Sequence, residues 1–81
     1  MVEVYSTENC YYCKKTKAYL KAHNIVFKES NVTNNIGKRT EMIKKSNGLS
    51  VPVIDADGEI IIGFNKLKLD KLIEKYGKRN R

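Results

Sequence analysis

Hydrophobic positions follow two different periods along this chain, and the changes of period mark out its predicted elements. The alternating, β-branched run Val2–Ser6 predicts a first strand. Residues 13–23 repeat apolar positions at helical spacing and predict a first helix, which Asn24 ends. The face of this helix that we expect to be buried carries Thr16, Tyr19, Leu20 and His23. Because His23 falls at the end of that face, we interpret it as a polar cap rather than a catalytic base.

The middle of the chain predicts a second strand and a second helix. The strand covers residues 25–29 and the helix covers residues 35–46, with Thr33 or Asn34 as its N-cap. Asn47-Gly48 ends the helix. The face that we expect this helix to bury carries Ile36, Thr40 and Ile43.

The last third of the chain predicts a hairpin followed by a helix. Strands over residues 52–55 and 59–62 flank Asp57-Gly58, a dipeptide typical of a tight turn. A third helix starts near Asn65, and the basic tail, residues 77–81, is expected to fray. The apolar face of this helix carries Leu69, Leu72, Ile73 and Tyr76.

The predicted order is β-α-β-α-β-β-α, which indicates a single α/β domain over residues 1–81. The strand-helix-strand start favours a parallel first pair, whereas the hairpin adds antiparallel strands. We therefore expect a four-stranded mixed sheet with helices on both faces. A chain of 81 residues supplies one modest hydrophobic core and no second one.

Charge and hydropathy narrow the classes of partner. Sixteen basic against nine acidic residues give a net charge of +7, which favours anionic partners. The basic residues are spread over all three helices with acidic residues between them, so we expect no specific nucleic-acid binding. No apolar run approaches the length of a membrane span, and Glu3 interrupts the first apolar stretch, so we expect no signal peptide. These features predict a cytoplasmic monomer that does not bind membranes.

Both cysteines of the chain lie in Cys10-Tyr11-Tyr12-Cys13, between the first strand and the first helix. A Cys-x-x-Cys at such a junction is typical of a redox-active dithiol. Unpaired N–H groups and the positive end of the helix favour a thiolate, which is the reactive form. The second sulfur lies about one turn deeper, close enough to attack a mixed disulfide formed by the first. Lys14 and Lys15 either add positive potential or form an ordinary solvated helix face.

Two structural roles compete with redox chemistry for these cysteines. A structural zinc site needs four ligands, and Cys10, Cys13 and His23 supply three at most. A disulfide across so short a loop removes little chain entropy and so adds little stability. Neither role explains the position at the junction, and we predict a catalytic dithiol with no metal site.

With the dithiol, the single proline and the glycine after the last strand placed, the chain resembles the glutaredoxins over nearly its whole length. Arg39–Ser46 followed by Ser50-Val51-Pro52 is similar to the second helix and Thr-Val-Pro loop of bacterial glutaredoxins. The usual active site of that family is Cys-Pro-Tyr-Cys, and here Tyr11 stands at the proline position. The element order and the resemblance both imply the thioredoxin fold. The resemblance further implies no tightly bound cofactor and glutathione as a co-substrate.

The resemblance also assigns roles to individual residues. Cys10 corresponds to the exposed nucleophile that attacks a disulfide, and Cys13 to the thiol that resolves the mixed disulfide. Val51-Pro52 corresponds to a cis peptide facing the dithiol, with the Val51 backbone pairing with an extended substrate. Tyr12 corresponds to a wall of the substrate groove. Arg39 corresponds to a contact with the glycine carboxylate of glutathione, and a plain exposed side chain is the alternative for both Tyr12 and Arg39.

The chain departs from the family pattern where glutaredoxins bind the glutamyl end of glutathione. Gly63 matches the first glycine of the family's Gly-Gly-x-Asp-Asp motif, but Phe64 replaces the second glycine. Lys66 and Leu67 stand where acidic residues hold the glutamyl amine, although the helix end at Asn65 can still bind a carboxylate. Gly63-Phe64 instead resembles the NrdH-redoxins, which take electrons from thioredoxin reductase and pass them to ribonucleotide reductase.

The sequence leaves three functions open. The first is reduction of protein disulfides or glutathione mixed disulfides, at a potential between roughly −270 and −200 mV. The second is the route of the NrdH-redoxins, from thioredoxin reductase to ribonucleotide reductase. The third is binding of an iron–sulfur cluster between two subunits, because some glutaredoxins that replace the active-site proline do so. Tyr11 fits that exception, although its bulk opposes the dimer contact.

Overall fold

The structure, a computed structural model, describes residues 1–79, with side chains as far as residue 76. Its strands are β1 (Val2–Ser6), β2 (Phe27–Asn31), β3 (Val53–Ala56) and β4 (Glu59–Ile62). Its helices are α1 (Tyr11–Ala22), α2 (Ile36–Ser46) and α3 (Lys66–Arg79). The helix α3 is therefore longer than predicted, and residues 80 and 81 of the tail expected to fray lie outside the described residues.

The sheet is built on β1, which is its second strand. The strand order is β2-β1-β3-β4. Within it, β1 is parallel to β2 and antiparallel to β3, and β4 is antiparallel to β3. Valine and tyrosine side chains suit a strand that is hydrogen-bonded on both sides and covered on both faces. The predicted mixed sheet and its parallel first pair are confirmed, and this topology is the thioredoxin fold.

Successive side chains along each strand point to opposite faces of the sheet, and each face packs its own layer. One face of the sheet holds the larger core, where Val4 and Ile54 pack with Leu20 of α1 and Leu69 of α3. The other face lies under α2, and its buried apolar residues are Tyr5, Val32, Met42 and Val53. Helices therefore cover both faces, as predicted. The expected apolar face of α3 is also confirmed, since Leu69 and Leu72 are buried and Ile73 and Tyr76 are partly buried.

The helix α2 buries a different face from the one predicted. The three residues expected in the core are exposed, namely Ile36, Thr40 and Ile43. Met42 is the buried residue of this helix. The side chains that bond to the sheet are Lys38, Glu41 and Lys45. The prediction was wrong because ion pairs and hydrogen bonds, which hydrophobic periodicity does not record, orient this helix.

A polar network around the phenol of Tyr5 joins α2 to β1 and β3. Lys45 Nζ donates to the phenol oxygen at 2.7 Å and lies 2.6 Å from a carboxylate oxygen of Asp55. The phenol is also hydrogen-bonded to Glu41. Burial raises the pKa of Tyr5, and the hydrogen bond to Glu41 adds to that rise, so the phenol keeps its proton. The network satisfies polar groups that would otherwise be costly to bury.

The same network continues to Glu3 on β1. Ser30 Oγ donates to the Glu3 carboxylate at 2.5 Å, and Lys38 Nζ lies 3.0 Å from it. Burial by itself would raise the pKa of Glu3, but the bonds from Ser30 and Lys38 outweigh it and the pKa lies below its ordinary value. The hydrogen bond from Tyr5 likewise lowers the pKa of Glu41.

The end of α1 explains why β2 starts later than predicted. Asn24 adopts a left-handed φ of 60°, and the Ile25 N–H bonds back to the Leu20 carbonyl at 2.9 Å. The chain is thus still completing α1 at residue 25, and β2 begins at Phe27. His23 is the C-cap of α1, as predicted, but it is exposed, so the buried face of α1 ends at Leu20.

The N-cap of α2 is Asn35, so the prediction of Thr33 or Asn34 was wrong by one or two residues. The Asn35 side chain accepts a hydrogen bond from the Lys38 N–H at 3.0 Å. At the other end Asn47, with a φ of 60°, ends the helix as expected. The hairpin turn at residues 57 and 58, both with positive φ, is also confirmed, although β3 begins at residue 53 rather than 52.

The lowered pKa values of Glu3 and Glu41 predict that acid destabilises the fold. A carboxylate whose pKa is depressed on folding contributes its full stabilisation above its unfolded pKa, about 4.3. That stabilisation is lost as the pH falls from there through the lower folded pKa. The variant Glu3→Gln should lose about 1 kcal/mol of unfolding free energy at pH 7 and show a shallower decline between pH 7 and 3 in urea titrations.

The control for this prediction is Glu59→Gln, which changes an exposed carboxylate on β4. It should keep the pH profile of the wild type. A Glu3→Gln profile parallel to that of the wild type would contradict the prediction.

Candidate active site

The dithiol lies at the N-terminus of α1, just beyond the carboxyl end of β1. Cys10 is the N-cap of α1, and its Sγ accepts a hydrogen bond from the Cys13 N–H at 3.1 Å. The sulfur thus fills the position that serine or asparagine oxygens usually take and satisfies one of the unpaired helix N–H groups. This cap starts α1 at Tyr11, two residues before the predicted start.

The two sulfurs lie in contrasting environments. Both are free thiols, but Cys10 is partly exposed and Cys13 has 0% of its surface exposed. Burial raises the pKa of the Cys13 thiol to about 11, and its hydrogen bond with Cys10 adds to the rise. The backbone of Thr7 and the charge of Lys17 act in the opposite direction. One sulfur can therefore meet a substrate, while the other is protected from it.

Strand register brings two further segments to the end of the sheet where the dithiol lies. The last residue pair of β1 with β3 is Tyr5 with Val53, and Val53 also pairs with the last residue of β4. Val51 precedes β3 by two residues and Phe64 follows β4 by two residues, so both lie beyond the end of the sheet at which β1 leads into Cys10.

The Val51–Pro52 peptide bond is cis, as the resemblance implied. Pro52 is buried, and its carbonyl accepts a hydrogen bond from the Gly63 N–H at 2.8 Å. Gly63 has a φ of 76°, a left-handed conformation that favours glycine. Within the described residues, neither the N–H nor the carbonyl of Val51 makes a backbone hydrogen bond. Val51 therefore presents an open backbone edge at the end of the sheet.

Phe64 is partly buried and packs against α1. Its ring meets Tyr19 edge-on, with 5.7 Å between the ring centroids. Lys15 Nζ lies 4.7 Å from the Phe64 centroid and 6.0 Å from that of Tyr11, within the range of cation–π attraction. These contacts join the chain after β4 to the dithiol helix. Lys15, for which the sequence offered only general electrostatic roles, is thus a specific contact of Phe64.

An exposed aromatic pair flanks the dithiol. Tyr11 is 69% exposed and Tyr12 is 55% exposed, and their rings meet edge-on at 5.2 Å between centroids. Contiguous exposed apolar patches mark contact sites more often than single exposed apolar side chains do. The exposure of Tyr12 suits a groove wall, and the role itself stays a prediction. The sequence singled out Tyr11 only as a departure from proline, yet it contributes the more exposed of the two rings.

The remaining predicted binding residues lie on two helices. Arg39 is exposed on α2, and its side chain makes no hydrogen bond or ion pair with another described residue. Asn65 caps α3, because its Oδ1 accepts from the Lys68 N–H at 3.1 Å. The first turn of α3 carries no acidic residue, and Lys66 pairs with Asp70 at 3.1 Å. The start of α3 therefore lacks the carboxylates that would hold an amine.

The arrangement suits exchange between a dithiol and a disulfide. An accessible sulfur sits at the positive end of a helix, with a second sulfur buried one turn further along. Among residues 1–79 there is no group of three or more His, Cys, Asp or Glu side chains placed to hold a metal ion. No helix in that part of the chain is long and apolar enough to cross a membrane.

Comparison with known proteins agrees with this geometry. The glutaredoxin family model matches residues 2–61. A glutaredoxin-like 8.6 kDa protein from the rubredoxin operon of Clostridium pasteurianum is 53% identical over 75 residues, covering 93% of this chain and all of that protein. Glutaredoxin 3 of Escherichia coli is 41% identical over 66 residues, 82% of this chain and 80% of that protein.

Two further proteins are similar to this chain, one in sequence and one in structure. The glutaredoxin-like protein NrdH of Lactococcus lactis is 37% identical over 75 residues, covering 89% of this chain and 99% of that protein. The crystal structure of a glutaredoxin from Archaeoglobus fulgidus superposes with a TM-score of 0.82 at 26% identity, covering 89% of this chain and 84% of that one. With a Cys-x-x-Cys at the start of α1 and the thioredoxin fold around it, this chain belongs to the glutaredoxin family and is a glutaredoxin-like redox protein.

Proposed function

We propose that this thiol-disulfide oxidoreductase uses Cys10 as its nucleophile and Cys13 as its resolving thiol. The contrast between the two sulfurs is the observation that supports it. Cys10 is partly exposed at the helix end, whereas Cys13 is fully buried and its thiol has a pKa of about 11. A substrate disulfide can reach the first sulfur and not the second, so the order of attack follows from access.

The cycle is a pair of thiol-disulfide exchanges. The Cys10 thiolate attacks one sulfur of a substrate disulfide, forms a mixed disulfide and releases the other sulfur as a thiolate, which takes up a proton. Cys13, having lost its proton, then attacks the Cys10 sulfur and releases the rest of the substrate as a second thiol. The substrate has gained two electrons and two protons, and the protein is left with a Cys10–Cys13 disulfide that a reductase must open.

Protein disulfides are the substrates that the surface around the dithiol favours. The open backbone edge at Val51 offers a donor and an acceptor to an extended segment, in the manner of an added strand. Tyr11 and Tyr12 supply exposed apolar area between the two cysteines. The net charge of +7 favours acidic segments of such proteins.

A thioredoxin reductase is the electron donor that the start of α3 supports best. Glutathione carries an amine at its glutamyl end, and the first turn of α3 has no acidic residue to receive it. Phe64 fills the position of the second glycine of the glutaredoxin motif with a ring held by Tyr19 and Lys15. Arg39, exposed and unpaired in the described part of the chain, supports glutathione as the alternative donor.

Several expectations from the sequence stay predictions. They are ribonucleotide reductase as a client, a monomeric state, a cytoplasmic location and the iron–sulfur alternative.

Selective alkylation tests the assignment of the two sulfurs. Iodoacetamide at pH 7 should modify Cys10 alone, because Cys13 is buried and its pKa lies near 11. Peptide mass spectrometry should find one carbamidomethyl group on the folded protein and two after unfolding in urea. Modification of Cys13 at the same rate as Cys10 in the folded protein would contradict the assignment.

Turnover with two reducing systems tests the electron donor. NADPH consumption with a small disulfide substrate should be fast with thioredoxin reductase alone and slow with glutathione plus glutathione reductase. Cys10→Ser should abolish both activities. Faster turnover with glutathione would overturn the proposed donor while leaving the dithiol chemistry in place.

Restoring the glutaredoxin motif at the start of α3 provides a second test of the electron donor. Restoring the family motif by Phe64→Gly, Lys66→Asp and Leu67→Asp should raise glutathione-linked turnover by about tenfold, the value of one charge-assisted hydrogen bond. The control is Lys71→Asp with Lys75→Ala, which changes the net charge equally further along α3 and should leave that turnover unchanged. Equal gains in both variants would show that net charge, not the motif, limits the use of glutathione.

A further inference from the structure

Thr16 on α1 carries a buried hydroxyl that makes no hydrogen bond with the described residues. Its side chain is buried with 0% of the residue exposed, on the face of α1 that also buries Cys13. Among the described residues, Thr16 Oγ1 is the buried side-chain oxygen or nitrogen that lacks a hydrogen-bond partner. A buried hydroxyl without a partner destabilises the folded state, so stability does not account for this side chain.

Other helical hydroxyls of this protein show what Thr16 does not do. A threonine or serine in a helix commonly bonds the carbonyl three or four residues back. On α2, Thr40 Oγ1 donates to the Ile36 carbonyl at 3.0 Å, and Ser46 Oγ donates to the Met42 carbonyl at 2.9 Å. Thr16 makes no such bond, and its hydroxyl proton remains available.

Cys13 is the group near Thr16 that needs a donor. Residues three apart on a helix lie on the same face, with about 5–6 Å between their Cβ atoms. Resolution requires Cys13 as a thiolate in a buried site, and burial raises the pKa of this thiol. In the dithiol the hydrogen bond with Cys10 also raises that pKa; this contribution ends once Cys10 is joined to a substrate, and burial is what still opposes the thiolate.

The other groups that face the Cys13 sulfur give it limited help. In the loop between β1 and α1, the backbone of Thr7 lowers its pKa. On α1 the charge of Lys17 acts in the same direction, but Lys17 Nζ is paired with Glu29 of β2 at 2.5 Å. The Glu29 carboxylate offsets part of that positive charge, so a neutral donor next to the sulfur has a distinct effect.

We infer that the Thr16 hydroxyl donates a hydrogen bond to the Cys13 thiolate during the resolving step. In that step the Cys13 thiolate attacks Cys10 Sγ, the Cys10–substrate bond breaks, and the leaving thiolate takes up the proton that Cys13 gave to solvent. The Thr16 hydroxyl makes no hydrogen bond with the described residues in the dithiol, so rotation about the Thr16 side-chain bond has to bring it to the sulfur. A bond to an ionised acceptor is stronger than one to a neutral thiol, which favours this rotation once Cys13 is a thiolate. This inference rests on the proposed roles of Cys10 and Cys13.

A two-phase reaction with 2,2′-dithiodipyridine tests the inference without any protein partner. Attack by Cys10 releases the first thiopyridone, and resolution by Cys13 releases the second. Thr16→Val, which keeps the shape and removes the hydroxyl, should leave the first phase unchanged. It should raise the pH midpoint of the second phase by about one unit.

The second phase should also be slower in Thr16→Val than in the wild type. Below its midpoint, one unit means tenfold less thiolate, and the greater nucleophilicity of the more basic sulfur recovers roughly threefold. Resolution in Thr16→Val should therefore slow by roughly threefold at pH 7. Thr16→Ser should resemble the wild type and Thr16→Ala should resemble Thr16→Val, so the pair isolates the hydroxyl at a common side-chain size.

Two measurements separate this role from a structural one. Thr40→Val is the matched control, because it removes a helical hydroxyl that already has a partner, and it should leave both phases unchanged. Thr16→Val should unfold in urea at a concentration no lower than the wild type, since it removes an unpartnered buried hydroxyl.

Two results would distinguish a failure of the Thr16 inference from a failure of the proposed function. Unchanged rate and midpoint of the second phase in both Thr16→Val and Thr16→Ala would overturn the role of Thr16 alone. A first phase that persists in Cys10→Ser would instead overturn the proposed function.

Discussion

The register of β1 against its two neighbours is the constraint on which the rest of the structure depends. This strand is hydrogen-bonded on both sides, parallel to β2 and antiparallel to β3. A shift of one residue would exchange the side chains that face α1 and α3 with those that face α2. The same register carries Val51 and Phe64 to the end of the sheet where Cys10 caps α1. The fold and the site are thus fixed by one set of backbone hydrogen bonds.

The two faces of the sheet serve the site in different ways. Under α1 and α3 an apolar layer buries Cys13 and Thr16, which keeps one sulfur from solvent. Under α2 the apolar layer is small, and the hydrogen bonds and ion pairs of Tyr5, Glu3 and Lys45 hold the helix. Since α2 ends shortly before Val51-Pro52, this polar layer also positions the segment that leads into β3.

Local signals made much of this architecture predictable. The period-two run Val2–Ser6 and the Asp57-Gly58 turn coincide with the observed strand and hairpin, because each is set by neighbours in sequence. The dithiol junction and the cis peptide followed from motif and resemblance. The buried face of α2 did not, since Lys38 and Lys45 are oriented by carboxylates on distant strands. The contacts of Lys15 and the unpartnered hydroxyl of Thr16 are likewise tertiary features that no periodicity encodes.

Hydrogen exchange at the Val51 amide tests the central claim most directly. The Val51 backbone makes no backbone hydrogen bond within the described residues, and we propose that it pairs with an extended substrate. In free protein, NMR should show rapid exchange of this amide. In a mixed disulfide between Cys10 of the Cys13→Ser variant and a cysteine-containing peptide, exchange should slow by tenfold or more, about the effect of one hydrogen bond. Protection already present in the free protein, or none in the mixed disulfide, would contradict the account.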